Sequence, residues 1–191
     1  VTGLTAGNTV TLRWTISNGA CTASTDDVVL SNEVQPVAEA GPGGDQCGIG
    51  PTNLFSLGAT AAIGTGTWSK TSGDGIVTFS NVNDESATVW VDTEGSYTLA
   101  WTDVNGLCSD SDEVTINFYD TPTASNAGPD ITQCNTEVFT MAANVPVVGS
   151  GSWGIVGADP GVTITNTGSA TTTVTGLTAG NTVTLRWTIS N

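Results

Sequence analysis

Cysteine is the residue type with the most distinctive chemistry in this chain, and it recurs at two positions. Cys47 and Cys134 occupy one position, whereas Cys21 and Cys108 each follow a strand-like segment that contains a tryptophan. The sequence holds no CxxC pair and no histidine, which argues against a zinc site. The recurrence predicts a structural disulfide between Cys47 and Cys108, and another between Cys134 and Cys21 of the next copy. Such disulfides imply an oxidising, extracellular compartment.

A cluster of acidic and hydroxyl side chains follows Cys108 and could bind a hard cation. It consists of Ser109, Asp110, Ser111, Asp112 and Glu113. Oxygen ligands of this kind suit Ca²⁺ in extracellular modules, although the spacing is not that of an EF-hand. The alternative is that these acids are solvated and protect an edge strand from aggregation. The only cofactor that the sequence suggests is therefore Ca²⁺.

Catalysis has little support in the sequence. Without histidine, the usual general base and the Ser–His and Cys–His nucleophile arrangements are missing. The carboxylate pairs, Asp26 with Asp27 and Asp112 with Glu113, are sequence neighbours that point to alternate faces of a strand. A glycosidase needs two carboxyl groups that face each other across a cleft. We therefore expect no enzymatic activity.

Six tryptophans divide into a recurring group and one exception. We expect the recurring group to pack in cores: Trp14, Trp68, Trp101, Trp153 and Trp187. Trp90 differs, because aligning residues 86–91 with residues 169–174 places it on the outer face, where the other module has Thr173. An outward tryptophan could stack on a sugar or contact a neighbouring module. The alternative is that a local loop covers it.

The charge balance excludes several classes of partner. The formal net charge is −15, and the only cationic side chains are Arg13, Lys70 and Arg186. No basic patch is available for nucleic acid or for an anionic membrane surface. No apolar run is long enough to insert into a membrane. An acidic surface spread over many modules would keep an extended polymer soluble.

The elements that position these residues belong to a repeat. Residues 1–18 and 174–191 have the same sequence, VTGLTAGNTVTLRWTISN, at a spacing of 173 positions. A perfect duplicate predicts a long array of near-identical copies, of which this chain is a window slightly longer than one period.

The 173-residue period contains two diverged modules of about 86 residues. The tripeptide AGP at residues 40–42 returns at residues 127–129, an offset of 87. This frame predicts that residues 1–39 are the end of one module, that 40–126 form a complete module, and that 127–191 begin another without its last strand.

Short β-rich runs between Gly, Asn and Asp clusters predict an all-β fold. In residues 8–17, apolar and polar side chains alternate, as expected for a half-buried strand. A module of this size fits an immunoglobulin-like sandwich. Further strands are predicted at 54–58, 66–70, 76–80, 87–92, 97–101 and 113–119. The expected core includes Trp68, Leu99, Trp101, Val114 and Ile116.

The last strand requires a one-residue gap in the alignment of the two modules. The gap matches Val28 and Leu30 with Val114 and Ile116, whereas the ungapped alignment would place Asp27 in the core. A slip of one residue moves every side chain of a strand to its other face, so the pattern favours the gap.

Several strings together carry a family resemblance: VTGLTAGNTVTLRWTISN, AGPDITQC and GSGSW. They resemble the PKD-like, immunoglobulin-fold repeats of very long surface proteins of Bacteroidota, of which gliding-motility adhesins of the SprB type are the nearest comparison. The GLTAG turn also resembles the fibronectin type III pattern. The resemblance implies an extracellular, cell-surface tandem repeat of a bacterial stalk or adhesin and transfers no catalytic residue.

Two functions therefore compete at the level of sequence. The first is a rigid, disulfide-stapled spacer in an extracellular filament or adhesin stalk. The second is a carbohydrate- or surface-binding module that uses an exposed Trp90. The expected partners are adjacent copies of the same repeat, and we expect residues 19–39 of one copy to complete the 127–191 module of the preceding copy. Covalent continuity of one long chain would explain this, and the alternative is donation of a strand between separate subunits.

Overall fold

The computed structural model describes residues 1–134 and 136–191, and their regular structure is β-strand, which confirms the predicted all-β class. Within these residues, no helix has the length and hydropathy that crossing a membrane requires. The strands are β1 (Asn8–Ile16), β2 (Ser24–Asn32), β3 (Gly44–Cys47), β4 (Phe55–Ser56), β5 (Thr65–Ser72), β6 (Val77–Phe79), β7 (Thr88–Val91), β8 (Gly95–Asn105), β9 (Cys108–Tyr119), β10 (Val138–Thr140), β11 (Ser150–Val156), β12 (Thr163–Ile164), β13 (Thr173–Thr175) and β14 (Thr184–Ser190).

Strands β3 to β9 form an immunoglobulin-like sandwich of two sheets. One sheet has the order β3-β9-β8-β5 and the other β4-β7-β6. Alternate side chains of each strand point between the sheets, so the strands bury one face and expose the other. All the predicted core residues are buried there: Trp68, Leu99, Trp101, Val114 and Ile116.

The strand register confirms the one-residue gap that the sequence required. Leu99 pairs with Val114 in the β8–β9 hairpin, and Leu12 pairs with Val28 in the β1–β2 hairpin. Leu12 and Leu99 are equivalent in the repeat, so Val28 and Val114 are equivalent as well.

The gap lies in the connection between the two hairpin strands. Asp103 pairs with Asp110 across the tight turn at Gly106, where φ is 61°. The equivalent pair at the start of the chain is Ile16 with Ser24. That connection is one residue longer, which shifts the sequence offset without changing which side chains face the core.

Residues from Tyr119 onward repeat the same plan with fewer strands. β11 pairs with β14 in one sheet, and the other has the order β10-β13-β12. Trp153 and Trp187 pack with ring centroids 5.3 Å apart. The equivalent rings of Trp68 and Trp101 are 5.1 Å apart. Each module therefore has a similar tryptophan pair at the centre of its own core.

The chain divides into two compact units, Val1–Phe118 and Tyr119–Asn191. The first unit contains the β1–β2 hairpin and the complete sandwich, and the second contains β10 to β14. The predicted repeat boundaries, between residues 39 and 40 and between 126 and 127, stay a prediction about how the modules are framed.

Candidate functional site

The four cysteines are free in the structure, so the predicted Cys47–Cys108 disulfide is not present. Their positions explain why. Ala40 donates its backbone N–H to the Asp112 carboxylate. Five residues later in both segments, the Asn117 side-chain amide donates to the Asp45 carboxylate. The segment that leads to Cys47 therefore runs parallel to β9 and brings Cys47 to its far end.

Cys108 is the first residue of β9, whereas Cys47 lies beside the last residues of that strand. The 12 residues of β9 span roughly 37 Å at ~3.4 Å per residue. A disulfide requires Cα atoms about 4.4–6.8 Å apart. The same fold would separate Cys134 from Cys21 of another copy, so the geometry gives no support to that predicted pair either.

Two carboxylates of the acidic cluster accept backbone N–H groups. The Asp110 carboxylate accepts the N–H of Ala38, and the Asp112 carboxylate accepts the N–H of Ala40, both at 2.9 Å. Glu113 follows them in sequence and is exposed on the opposite face of β9. Among the described residues, no group of three or more His, Cys, Asp or Glu side chains could hold a metal ion. Two carboxylates of the predicted Ca²⁺ site thus fix the chain segment before β3, and Ca²⁺ binding at these residues stays a prediction.

Trp90 is half-buried and not freely exposed as the sequence predicted. It lies on β7, the central strand of its sheet, directly opposite Thr78. Neighbouring strands flank a central strand on both sides, which limits how much of its outer face solvent reaches. The outward direction is right, but the predicted equivalence is wrong. Thr163 pairs with Thr175 as Thr78 pairs with Trp90, so Trp90 corresponds to Thr175.

The structure shifts the predicted alignment of residues 86–91 with residues 169–174 by two positions. The shift does not change which side chains are assigned to the core. Ala87, Val89 and Val91 are buried, as predicted. Side chains of a strand alternate with a period of two, so a slip of two residues changes the partner but not the face.

Asp103 is a buried carboxylate that the sequence reasoning did not single out. It is 2% exposed and accepts the backbone N–H groups of Ile63 and Gly64, at 2.7 and 3.1 Å. The signal was available, because Asp103 stands where the other module has Ile16 or Ile189. A carboxylate at an apolar position of an alternating strand is expected to have local donors.

The β1–β2 hairpin presents an apolar face that the described chain leaves open. Trp14 is 71% exposed and Val28 is 53% exposed. Their equivalents in the sandwich, Trp101 and Val114, are 1% and 5% exposed. The prediction that Trp14 lies in a core is therefore wrong for this hairpin, which has no second sheet against it among the described residues.

The second unit carries the complementary feature, a groove of about 460 Å³. Residues 127–133 form one wall, and residues 181–185 lead into β14 on the other side. Phe139, Met141 and Trp153 form part of its lining. In the first unit, the equivalent space between β3 and β8 is filled by β9. Among the described residues, no strand occupies the equivalent position beside β14 in the second unit.

Comparison with known proteins gives no family assignment, because no family model and no curated protein match the chain. Among solved structures, the chain is similar to the PKD domain from KIAA 1837 protein, with 22% sequence identity and a TM-score of 0.38. That match covers 53% of this chain and 99% of the PKD domain.

The chain is also similar to surface layer protein SbsC. Domains 1-6 match with 13% identity, cover 95% of this chain and 26% of that chain, and give a TM-score of 0.29. The S-layer protein rSbsC(31-844) matches with 12% identity, covers 96% of this chain and 29% of that chain, and gives a TM-score of 0.30. The assignment of an immunoglobulin-like sandwich rests on the strand order and burial of this chain itself.

Proposed function

We propose that the chain is a structural repeat of an extracellular filament or cell-surface stalk and acts as a spacer. The observation that carries the proposal is that the modules duplicate a core and not a polar site. Trp68 donates its ring N–H to the carbonyl of Asp84, and Trp153 donates to the carbonyl of Ser169, both at 3.0 Å. Two residues suggested for metal or sugar binding, Asp110 and Trp90, have no such counterpart, because Ser24 and Thr175 stand at the equivalent positions.

The location is supported by charge and repetition. A net charge of −15 on the 191-residue chain would keep long arrays of such repeats soluble and self-repelling. Near-identical repeats suit a part whose task is length, or many copies of one contact. The finer assignment, a bacterial adhesin of the gliding-motility type, has the sequence resemblance as its support. The free cysteines remove the disulfide argument for an oxidising compartment.

A non-enzymatic role agrees with how the carboxylates are used. Asp103, Asp110 and Asp112 each accept backbone N–H groups, which leaves them as structural acceptors. The chain has no histidine that could act as a general base beside them.

Imaging of intact source cells tests this function. Antibodies against the complete module should label long surface structures in electron micrographs, and external protease should remove the label without lysis. Labelling confined to the interior of the cells would overturn the proposal. Regular spacing of the label along one structure would support the spacer role directly.

The competing carbohydrate-binding function is tested with a glycan array. The spacer role predicts no glycan binding by a fragment that contains both units, and no change in the variant Trp90→Ala. Saturable binding that is lost in Trp90→Ala would favour the carbohydrate-binding function over the spacer function, because a sugar can stack only on an aromatic ring face that it can reach.

A further inference from the structure

We infer that strand β2 of a second copy of this chain completes the second unit by adding to the free edge of β14. This inference rests on the proposed structural role and names its partner. β14 pairs only with β11 among the described residues, so its other edge offers unpaired backbone donors and acceptors beside the groove. Addition of a strand to such an edge is a recurring mode of recognition.

The duplicated sequence specifies the register of the added strand. β1 and β14 lie in the identical segments 1–18 and 174–191, and β1 already pairs with β2. Leu12 pairs with Val28, and Arg13 pairs with Asp27. The same register on β14 places Val28 of the second copy opposite Leu185 and Asp27 opposite Arg186.

The complete module shows what the filled groove looks like. Val114 and Ile116 of β9 are 5% and 0% exposed, packed between the two sheets. Their equivalents in β2 are Val28 and Leu30, which the β1–β2 hairpin leaves exposed and half-buried, respectively. Without such a strand, Leu185 is only half-buried, whereas its equivalent Leu99 is 0% exposed.

The exchange conserves backbone pairing and gains apolar burial. When β2 moves from β1 to β14, it leaves one strand and joins another of the same sequence, so the ladder hydrogen bonds are equal before and after. Trp187 is already buried against Trp153, whereas Trp14 is exposed in the hairpin. The net change is the removal of Val28, Leu30 and the groove lining from water, which favours association.

Polar contacts of β2 also have counterparts on β14 and in the wall of the groove. Arg13 holds the Asp27 carboxylate at 2.8 Å in the hairpin, and Arg186 offers the same guanidinium on β14. Asp112 accepts the N–H of Ala40 in the complete module. By the same offsets, Asp26 of the second copy would accept the N–H of Ala127, which lies in the wall of the groove.

Sedimentation velocity of the purified 191-residue chain tests the inference. We expect concentration-dependent association of the native chain and at least a tenfold weaker association of Val28→Asp. Val29→Asp is the matched control, because Val29 is 60% exposed on the opposite face of the same strand. Association that is absent in the native chain, or equally sensitive to both substitutions, would overturn the inference.

An extended variant fills the groove within one chain. Residues 19–39 are appended after Asn191, so that the repeat continues as it does after Asn18. This variant should be monomeric, since its groove no longer needs another copy. Persistent association of the extended chain would overturn the inference, because the contact would then lie elsewhere.

Crosslinking with a bis-maleimide reports the direction of the added strand. Cys47 lies beside the end of β9, so Cys134 should lie beside the end of β2 of the second copy. Glu33 follows that end of β2 and lies near the β8–β9 turn, because a Cβ added at Gly106 would lie 2.6 Å from Cγ of Glu33. Cys108 comes two residues after Gly106. We expect crosslinks between copies to join Cys134 to Cys108. A dominant Cys134–Cys21 crosslink would mean that the strand enters in the opposite direction, which would overturn the inferred register.

The association assays use the purified chain, so their result is independent of whether antibodies label the cell surface.

Discussion

Gly66 shows how a short motif at the residue scale serves a distant strand. A Cβ at this position would lie 2.1 Å from Cζ2 of Trp101, and a Cβ at Gly151 would lie 2.0 Å from the same atom of Trp187. The recurring strings GTGTW and GSGSW therefore carry glycine two residues before tryptophan for a steric reason. The glycine leaves room for the tryptophan of the neighbouring strand.

We predict that Gly66→Ala destabilises the complete module by about 1–3 kcal/mol or more, as overpacking of a core does. The added methyl group must displace the buried Trp101 ring. Gly58→Ala is the control, because a Cβ there meets nothing within 4 Å. Urea unfolding measures both variants, and equal free energies of unfolding would contradict the steric explanation.

Asp103 is the second residue whose replacement is informative. In the second unit, the N–H of Val148 in the equivalent loop donates to the hydroxyl of Thr123. The backbone N–H groups of this loop therefore have different acceptors in the two modules. We predict that Asp103→Ala costs about 1–3 kcal/mol for each backbone donor left without its acceptor. Glu113→Ala, on an exposed position of the same sheet, should change the unfolding free energy by less than about 0.5 kcal/mol.

Tyr97 links stability to alkaline pH. Its hydroxyl donates to the carbonyl of Thr93 and accepts the N–H of Gly75, and burial of the side chain raises the pKa of Tyr97. The neutral form is thus favoured in the folded state, and the unfolded chain loses its proton first as the pH rises.

We therefore predict that the free energy of unfolding falls as pH rises above about 10, the ordinary tyrosine pKa. The loss continues until Tyr97 ionises in the folded state. Tyr97→Phe should show a smaller alkaline decline, although it is less stable at neutral pH because the N–H of Gly75 loses its acceptor. An unchanged decline in this variant would assign the effect to other groups.

At the scale of elements, β1 and β14 form a natural experiment. They lie in identical segments, yet Trp14 is 71% exposed and Trp187 is 3% exposed. We predict that Trp187→Ala destabilises the second unit by ~3–5 kcal/mol, as removal of a packed tryptophan does. Trp14→Ala should change stability by less than ~0.5 kcal/mol. Thermal unfolding of dilute, monomeric protein compares the two, and equal losses would mean that the hairpin face is covered.

At the scale of the whole molecule, stability must come from packing and hydrogen bonds within each unit and not from disulfides. We predict four reactive thiols in each denatured chain and no change in thermal unfolding on addition of a reductant. Thiol titration and calorimetry measure these quantities. Recovery of a linked Cys47–Cys108 peptide from the monomer under non-reducing conditions would contradict the parallel placement of residues 40–47 along β9.

Much of the fold was predictable because the signals are local and repeated. Alternation along single strands identified the inward faces, including Leu99 and Val114, and the burial of these residues confirms it. Comparison of the two modules located the one-residue gap. Both inferences depend on the period of two along a strand, which the sequence carries directly.

The site residues were less predictable because their roles depend on which strand lies beside them. Asp110 and Asp112 are close in sequence, which suggested a cation site. In the structure the segment that contains Ala38 and Ala40 lies beside β9, and the two carboxylates accept its backbone N–H groups. The distance between Cys47 and Cys108 likewise follows from strand direction, which sequence spacing does not specify.

The identical segments 1–18 and 174–191 separate what sequence determines from what tertiary structure decides. Their turns are the same: Gly7 and Gly180 have φ values of 80° and 82°, and the same Asn-to-Thr hydrogen bond closes each turn. Turn geometry and strand alternation depend on neighbouring residues, so the sequence by itself determined them. Burial depends on what packs against the strand. Within residues 1–134 and 136–191, β11 lies beside β14 and covers Trp187, whereas β1 pairs with β2 alone. The tertiary structure therefore decided which tryptophan belongs to a core.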